Sequence, residues 1–393
     1  MQHARSPLRL AAALLVPVLA AGCTSERAVA EPAAGPDAGA AAQVFQTELY
    51  PIRVVTLAEG LVFPYSMTFL PDGSMLVTEL EGRLRRVRNG VLDPEPIAGT
   101  PDVYSVPGRG GLMDVILHPD FGENRWVYLT YDKPGERGAT PAVARGTLDG
   151  DELRDVTDIF VSDAWGTSNG HLSSYIRFTL DGSLYMSTAE RNEPIRSQDT
   201  TDHAGKLLRL RDDGSVPPDN PFVGREGFRP EIFAYGHRDI HGMAVHPVTG
   251  DVWTNEHGDE VNVARPGLNH GWPYVSVRES TENVPAPDGL DFAPPYLAWN
   301  PGIQVSGMTF YIGDVFPDWK GDLFISGLAG EQVHRVSFAQ DPPDTSGPAS
   351  GETRETLFDF GARVRDVREG PDGLLYFVTD EEAGRLLRIE PAD

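Results

Sequence analysis

A turn built from Pro, Asp and Gly recurs six times along the 393 residues, each time leading into a short strand of alternating apolar residues. It stands as Pro71-Asp72-Gly73 before MLVTE, His118-Pro119-Asp120-Phe121-Gly122 before WVYLTY and Leu180-Asp181-Gly182 before LYMST. It returns as His246-Pro247-Val248-Thr249-Gly250 before VWTNE, Pro317-Asp318-Trp319-Lys320-Gly321 before LFISG and Pro371-Asp372-Gly373 before LYFVT. In such a turn Pro presets φ, Asp bonds its own backbone and Gly accepts a positive φ. Flanking runs with period two are strands. The first and last copies continue alike, as TELEGRLRRV (78–87) and TDEEAGRLLRI (379–389), so the repeating unit holds more than one hairpin.

Six copies of a multi-stranded unit predict an all-β chain, a six-bladed β-propeller of four-stranded antiparallel blades. The glycines at 73, 122, 182, 250, 321 and 373 are 49, 60, 68, 71 and 52 residues apart. A four-stranded blade needs about 40–50 residues. The surplus around the third to fifth copies therefore belongs to loops, which places a site among residues 160–175, 189–241 and 254–305.

The N-terminus reads differently. Arg5 and Arg9 precede an apolar run, Leu10 to Ala21, which ends in Ala20-Ala21-Gly22-Cys23. The run is too short to span a bilayer, which takes about 20 residues, and has the shape of an export signal. Cys23, the only cysteine, excludes a disulfide framework and a thiolate metal cluster. The sequence thus predicts a lipoprotein signal peptide over 1–22, lipidation at Cys23, a flexible Ala/Gly/Pro tether over 23–46 and the propeller over 47–393. The protein would be exported and held to the cell envelope by its lipid anchor only. A net charge of −25 argues against nucleic acid as a partner.

Histidines sort by whether they recur with the repeat. His118 and His246 fill the same slot of two turns, which makes them scaffold. His171 and His237 do not recur. His171 sits in the glycine-containing loop SNGHLSS and is a candidate general base, with Glu190 across one hairpin as its orienting carboxylate. Arg238, Arg363 and Arg365 are candidates for clamping a planar polyanion, because guanidinium forks match carboxylates.

Longer motifs carry a resemblance. GRGGLMDVILHPDFGENRWVYLTYDK (108–133), KLLRLRDDGSVPPDNPF (206–222), GHR (236–238) and EVNVARPGLNHGWP (260–273) resemble, in order, the glucose/sorbosone dehydrogenase family. So do SGMTFYIGDVFPDWKGDLFISGLAG (306–330) and ARVRDVREGPDGLLYFVTDEEAGRLLRIEP (362–391). The branch that it resembles most is the aldose sugar dehydrogenases. The resemblance implies a propeller that holds pyrroloquinoline quinone (PQQ) and calcium at the channel mouth. It implies that a sugar hydroxyl loses its proton to a histidine while hydride passes to the quinone, with an external acceptor taking the electrons. Position by position, it makes His171 the base and Glu190 its support. Arg238 falls at the reacting quinone carbonyl, Asp239 and His241 fall beside the cofactor, and Arg363 and Arg365 fall at its carboxylates. Gly258 and Asp259 fall in the calcium loop.

The chain departs from the family pattern at the site. The usual Asn-Pro-Gln is Asp239-Ile240-His241, and Gly258 runs directly into Asp259-Glu260 where several more residues are usual. Two other readings follow: a propeller that binds carbohydrate or a partner without redox chemistry, and a metal-dependent, lactonase-like hydrolase using His237, His241, His257 and Glu256.

Overall fold

The computed structural model describes residues 42–277 and 284–392, and Cys23 with its signal and most of its tether lies outside them. The six expected sheets are all present and antiparallel. Blade 1 comprises Pro64–Phe69, Met75–Glu79, Arg83–Arg88 and Val91–Leu92. Blade 2 comprises Leu112–Leu117, Trp126–Gly135, Gly138–Asp149 and Glu152–Val161. Blade 3 is Ile176–Phe178, Leu184–Thr188, Lys206–Leu210 and Ile232–Tyr235. Blade 4 is Ile240–Val245, Val252–Glu256, Glu260–Val263 and Leu297–Ala298, and blade 5 is Val305–Phe310, Leu323–Gly327, Gln332–Ser337 and Thr353–Asp359.

Blade 6 closes the ring. Its first three strands, Val364–Glu369, Leu375–Thr379 and Gly384–Pro391, come from the C-terminus, and its fourth, Pro51–Leu61, comes from the N-terminal end of the propeller. The seam pairs from Ile52↔Pro391 to Leu61↔Gly384, with register shifts between Thr56 and Ala58 and between Glu59 and Leu61. Beyond it Gln43–Gln46 pairs with Pro51–Val54 as a fifth strand, so the ordered ladder starts inside the stretch that the sequence assigns to the tether. Phe45 packs on the core there, which gives this segment an apolar anchor despite its neighbours' composition.

Each repeated turn joins the first and second strand of a blade. In three of them the Asp carboxylate accepts from the amide two residues on: Asp72 from Ser74 at 2.9 Å, Asp181 from Ser183 at 3.0 Å and Asp372 from Leu374 at 3.2 Å. The two recurrent histidines do the same work with a ring nitrogen. His118 Nδ1 accepts from the Asp120 amide at 3.0 Å, and His246 Nδ1 accepts from the Val248 and Thr249 amides at 3.3 Å. Both are scaffold.

The first strands of successive blades pack on one another around the ring. The approach is close: a Cβ on Gly242 in blade 4 would lie 2.4 Å from the Ser306 carbonyl oxygen of blade 5. At the centre, charges from three blades meet. Arg368 bonds Asp366 at 2.8 Å and Asp114 at 3.0 Å, while Arg177 bonds Asp114 at 2.5 Å. Buried charges are tolerated only when paired in this way. The turns occupy one face of the ring. The segments that enter each first strand and leave each second strand therefore gather at the other face. Among the described residues, no helix is long and apolar enough to cross a membrane.

Candidate active site

At that second face a cavity of about 410 Å³ opens among loops from all six blades. His171, Asp239, Gln304 and Arg363 reach it from segments that enter or begin first strands, and Asn192, His257 and Leu328 reach it from segments that leave second strands. Antiparallel pairing sets these two kinds of segment side by side in every blade, which is why the ring concentrates polar side chains there.

His171 and Glu190 meet as expected. His171 Nδ1 lies 2.6 Å from Glu190 Oε1 and 2.7 Å from Oε2. Glu190 is fully buried, and its Oε2 also accepts the Asn192 amide at 2.9 Å. Burial opposes charge on the imidazole, but the bond to Glu190 and the nearby Asp239 carboxylate outweigh it and raise the His171 pKa. Backbone strain accompanies the site. His171 has φ +50°, and Arg191 and Asn192 follow at +66° and +59°, a region that non-glycine residues rarely enter. The strained turn is held by a fully buried ion pair, Arg191 to Asp132 at 3.0 Å.

Arg363 and Arg365 both line the cavity and both grip Asp380, at 2.8 Å and 2.9 Å. They are otherwise unlike. Arg363 is 43% exposed, whereas Arg365 is buried, lies over the Tyr65 ring at 5.2 Å and sits 3.2 Å by Nη1 from His241 Nδ1. Its Nε is buried without a hydrogen-bond partner. Asp239 and His241 also lie on the cavity wall. Asp239 Oδ1 accepts from the Ser173 hydroxyl and amide, and its Oδ2 is 2.9 Å from His241 Nε2. Surrounding histidines, His241 first among them, overcome burial and hold the Asp239 carboxyl far below the usual range.

Other residues selected from the sequence stand elsewhere. Arg238 lays its guanidinium over the Trp272 ring at 4.8 Å, and Nη1 lies 3.5 Å from the His257 carbonyl oxygen; its side chain is not part of the cavity wall. Neither Gly258 nor Asp259 lines the cavity, and Asp259 Oδ1 accepts from the amides of Ile303 and Val305 at 3.0 and 3.2 Å. His237 points away too. It bonds Glu256 at 2.8 Å and stacks on His270, while burial pushes Glu256 up to about 8. The four-residue set His237, His241, His257 and Glu256 is thereby split, and His241 and His257 instead face each other with Asp239.

Arg109, Tyr65 and Asp380 belong to the site and were not singled out from sequence. Arg109 sits in a quoted motif, GRGG, directly before a first strand. That position was the available signal, since every blade delivers at least one wall residue from the entry or start of its first strand.

The model of the glucose/sorbosone dehydrogenase family matches residues 61–388. Aldose sugar dehydrogenase YliI of Escherichia coli K12 is 38% identical over 354 residues, covering 86% of this chain and 93% of that one. A crystal structure described as glucose dehydrogenase superposes with a TM-score of 0.79 at 39% identity, covering 86% of this chain and 99% of the other. The PQQ-bound aldose sugar dehydrogenase of Streptomyces coelicolor, at 24% identity, shares the fold with a TM-score of 0.68 over 86% of this chain and 97% of its own.

Proposed function

Because the chain belongs to the glucose/sorbosone dehydrogenase family, an oxidoreductase family of sugar dehydrogenases, we propose that it oxidises an aldose or related alcohol with PQQ held in the 410 Å³ cavity. The observation that carries this reading is the His171–Glu190 pair beside three cavity-lining arginines, in a protein whose net charge is −25. An arginine-rich pocket in so acidic a chain suits an anionic ligand.

The residues present fit the quinone. Arg109, Arg363 and Arg365 offer guanidinium donors for its carboxylates, and the buried Arg365 Nε has a donor to give. Bound there, an ortho-quinone supplies a two-electron acceptor. Calcium at Gly258 and Asp259 is not matched, since neither lines the cavity and the Asp259 carboxylate is engaged with backbone amides. No step is assigned to it.

The chain's own chemistry is that of a held base. Glu190 fixes the proton on His171 Nδ1, which leaves Nε2 with its lone pair. Nε2 takes the proton of a substrate hydroxyl, and buried Glu190 stabilises the imidazolium that forms. Asp239 adds a second negative charge within reach of that imidazolium. Electrons leave to an external acceptor, and export with lipidation at Cys23 would place the exchange at the cell envelope.

Titration of the purified chain with PQQ, followed by visible absorbance and then by a dye-linked assay over a panel of aldoses, tests the proposal. Saturable quinone binding with turnover supports it. Absence of quinone binding at micromolar concentration overturns it in favour of a binding or hydrolytic propeller.

A further inference from the structure

Blade 4 carries a cluster of which sugar oxidation by His171 uses only the charge of Asp239. Asp239, His241 and His257 each offer a ligand atom, and these atoms all lie within 4.8 Å of one another. The three residues share one patch of the cavity wall. Asp239 and His241 come from the start of the first strand of the blade, and His257 comes from the end of its second, so the strand pairing itself brings them together. Asp239 and His241 are buried, and His257 Nε2 is buried with no hydrogen-bond partner.

We propose that Asp239, His241 and His257 form a binding site for a divalent transition-metal ion of the zinc or cobalt class, open to the cavity. Two imidazoles and one carboxylate suit such borderline ions; calcium takes about six to eight oxygen ligands, and this patch does not present them. Three protein ligands leave a position for water or a substrate oxygen, the arrangement of reactive rather than structural sites. The open position would face the same cavity as His171.

Loading requires a defined rearrangement. The two imidazoles lie face to face, with centroids 3.6 Å apart and planes 10° apart. An ion bound in the plane of each ring cannot sit between parallel rings, so one ring must turn. His257 is the freer one, because His241 is held by Asp239 at 2.9 Å and by Arg365 at 3.2 Å while His257 Nε2 has no hydrogen bond. The ion then replaces the proton shared by His241 Nε2 and Asp239 Oδ2. That proton moves to His241 Nδ1, and Arg365 turns Nη1 away while Nη2 stays on Asp380 at 2.9 Å. The site stands independently of whether the cavity takes a quinone.

The test uses the full chain, stripped by chelator and free of quinone, titrated with Zn²⁺ against a chromogenic chelator and with Co²⁺ by visible absorption. The expected result is one equivalent of either ion, with a cobalt band in the visible that Asp239→Asn and His257→Gln each abolish, and zinc affinity lowered at least about tenfold in both, the scale on which disturbing a metal site acts. Millimolar calcium should leave the zinc in place. Asp239→Asn is nearly isosteric and carries the test alone if His257→Gln fails to fold. No bound equivalent in the parent, binding unchanged by the substitutions, or displacement by calcium overturns the proposal. Quinone titration of the same stripped sample reads separately, so failure of the metal site and failure of the dehydrogenase reading are distinguishable.

Discussion

His171 Nδ1 lies between the two oxygens of Glu190, 2.6 and 2.7 Å from them, so this carboxylate and no backbone group fixes the tautomer of the ring. His171→Ala should lower turnover by roughly 10²–10⁴, the usual worth of a positioned base. Glu190→Gln should cost less in rate and move the ascending limb of the pH–rate profile to lower pH. The sign follows from the cause: the bond to Glu190 raises the His171 pKa, and a neutral amide removes that support. A limb that stays in place in the Gln variant would assign it to another group.

The two arginines on Asp380 should separate in their effects. Arg363 is 43% exposed, so Arg363→Ala should weaken quinone binding by about 1.5–3 kcal/mol, the range for a hydrogen bond to a charged group, and leave the melting temperature nearly unchanged. Arg365→Ala should do both kinds of damage. It leaves the buried Asp380 with only the half-exposed Arg363 as its partner, and breaking a buried pair typically costs about 3–5 kcal/mol. Denaturant melts of the quinone-free variants, set beside quinone titrations, decide the matter; equal stability of the two would show that burial does not distinguish them.

The propeller was legible because the turn repeats: Asp72, Asp181 and Asp372 bond their own backbone in the same way, and a periodic local signal survives any loop insertion between copies. The His171–Glu190 pair was legible too, since one hairpin separates its members. The alternation of Arg363, Val364 and Arg365 showed that both arginines face one side. It could not show that one is buried, because Arg365 packs on Tyr65, which comes from blade 1 on the other side of the seam. The packing of Arg238 was hidden for a similar reason. Its stacking partner Trp272 lies past the strand Glu260–Val263, and nothing local announces that contact. The patch of Asp239, His241 and His257 needed the pairing of two strands, which proximity in sequence does not reveal.

Lys206 gives a prediction in pH. It is fully buried behind the loop that carries Glu190, with Nζ donating to the carbonyl oxygens of Arg196 at 2.9 Å and Ala204 at 2.6 Å. Burial lowers its pKa to about 7. A lysine depressed on folding contributes stability that is present above its unfolded value, about 10.4, and is lost as pH falls towards 7. Denaturation of the parent should therefore show stability rising between about pH 7 and 10, by about 2–4 kcal/mol from this group. Lys206→Met should flatten that part of the curve. Parallel curves for parent and variant would mean that Lys206 keeps its ordinary affinity for protons.

The seam of blade 6 should be the point at which the N-terminal end of the propeller matters. Ile52 and Val54 belong to the core shared by blades 5 and 6 and are almost fully buried, while Val44 on the outer fifth strand is 59% exposed. Ile52→Ala removes buried methyl groups from a packed seam and should cost about 2–5 kcal/mol. Val44→Ala should change stability by no more than about 0.5 kcal/mol, the range for exposed substitutions. The same contrast predicts the outcome of truncation. A chain beginning after Gln46 keeps the Glu48–Arg335 ion pair and the whole Pro51–Leu61 strand, so it should fold and melt within a few degrees of the parent. A chain beginning at Val62 lacks the strand that joins the last blade to the first, and it leaves Gly384–Pro391 as an open edge. That chain should fail to give a cooperative thermal transition by circular dichroism. If it melts like the parent, ring closure does not depend on this strand and the seam carries no special share of the stability.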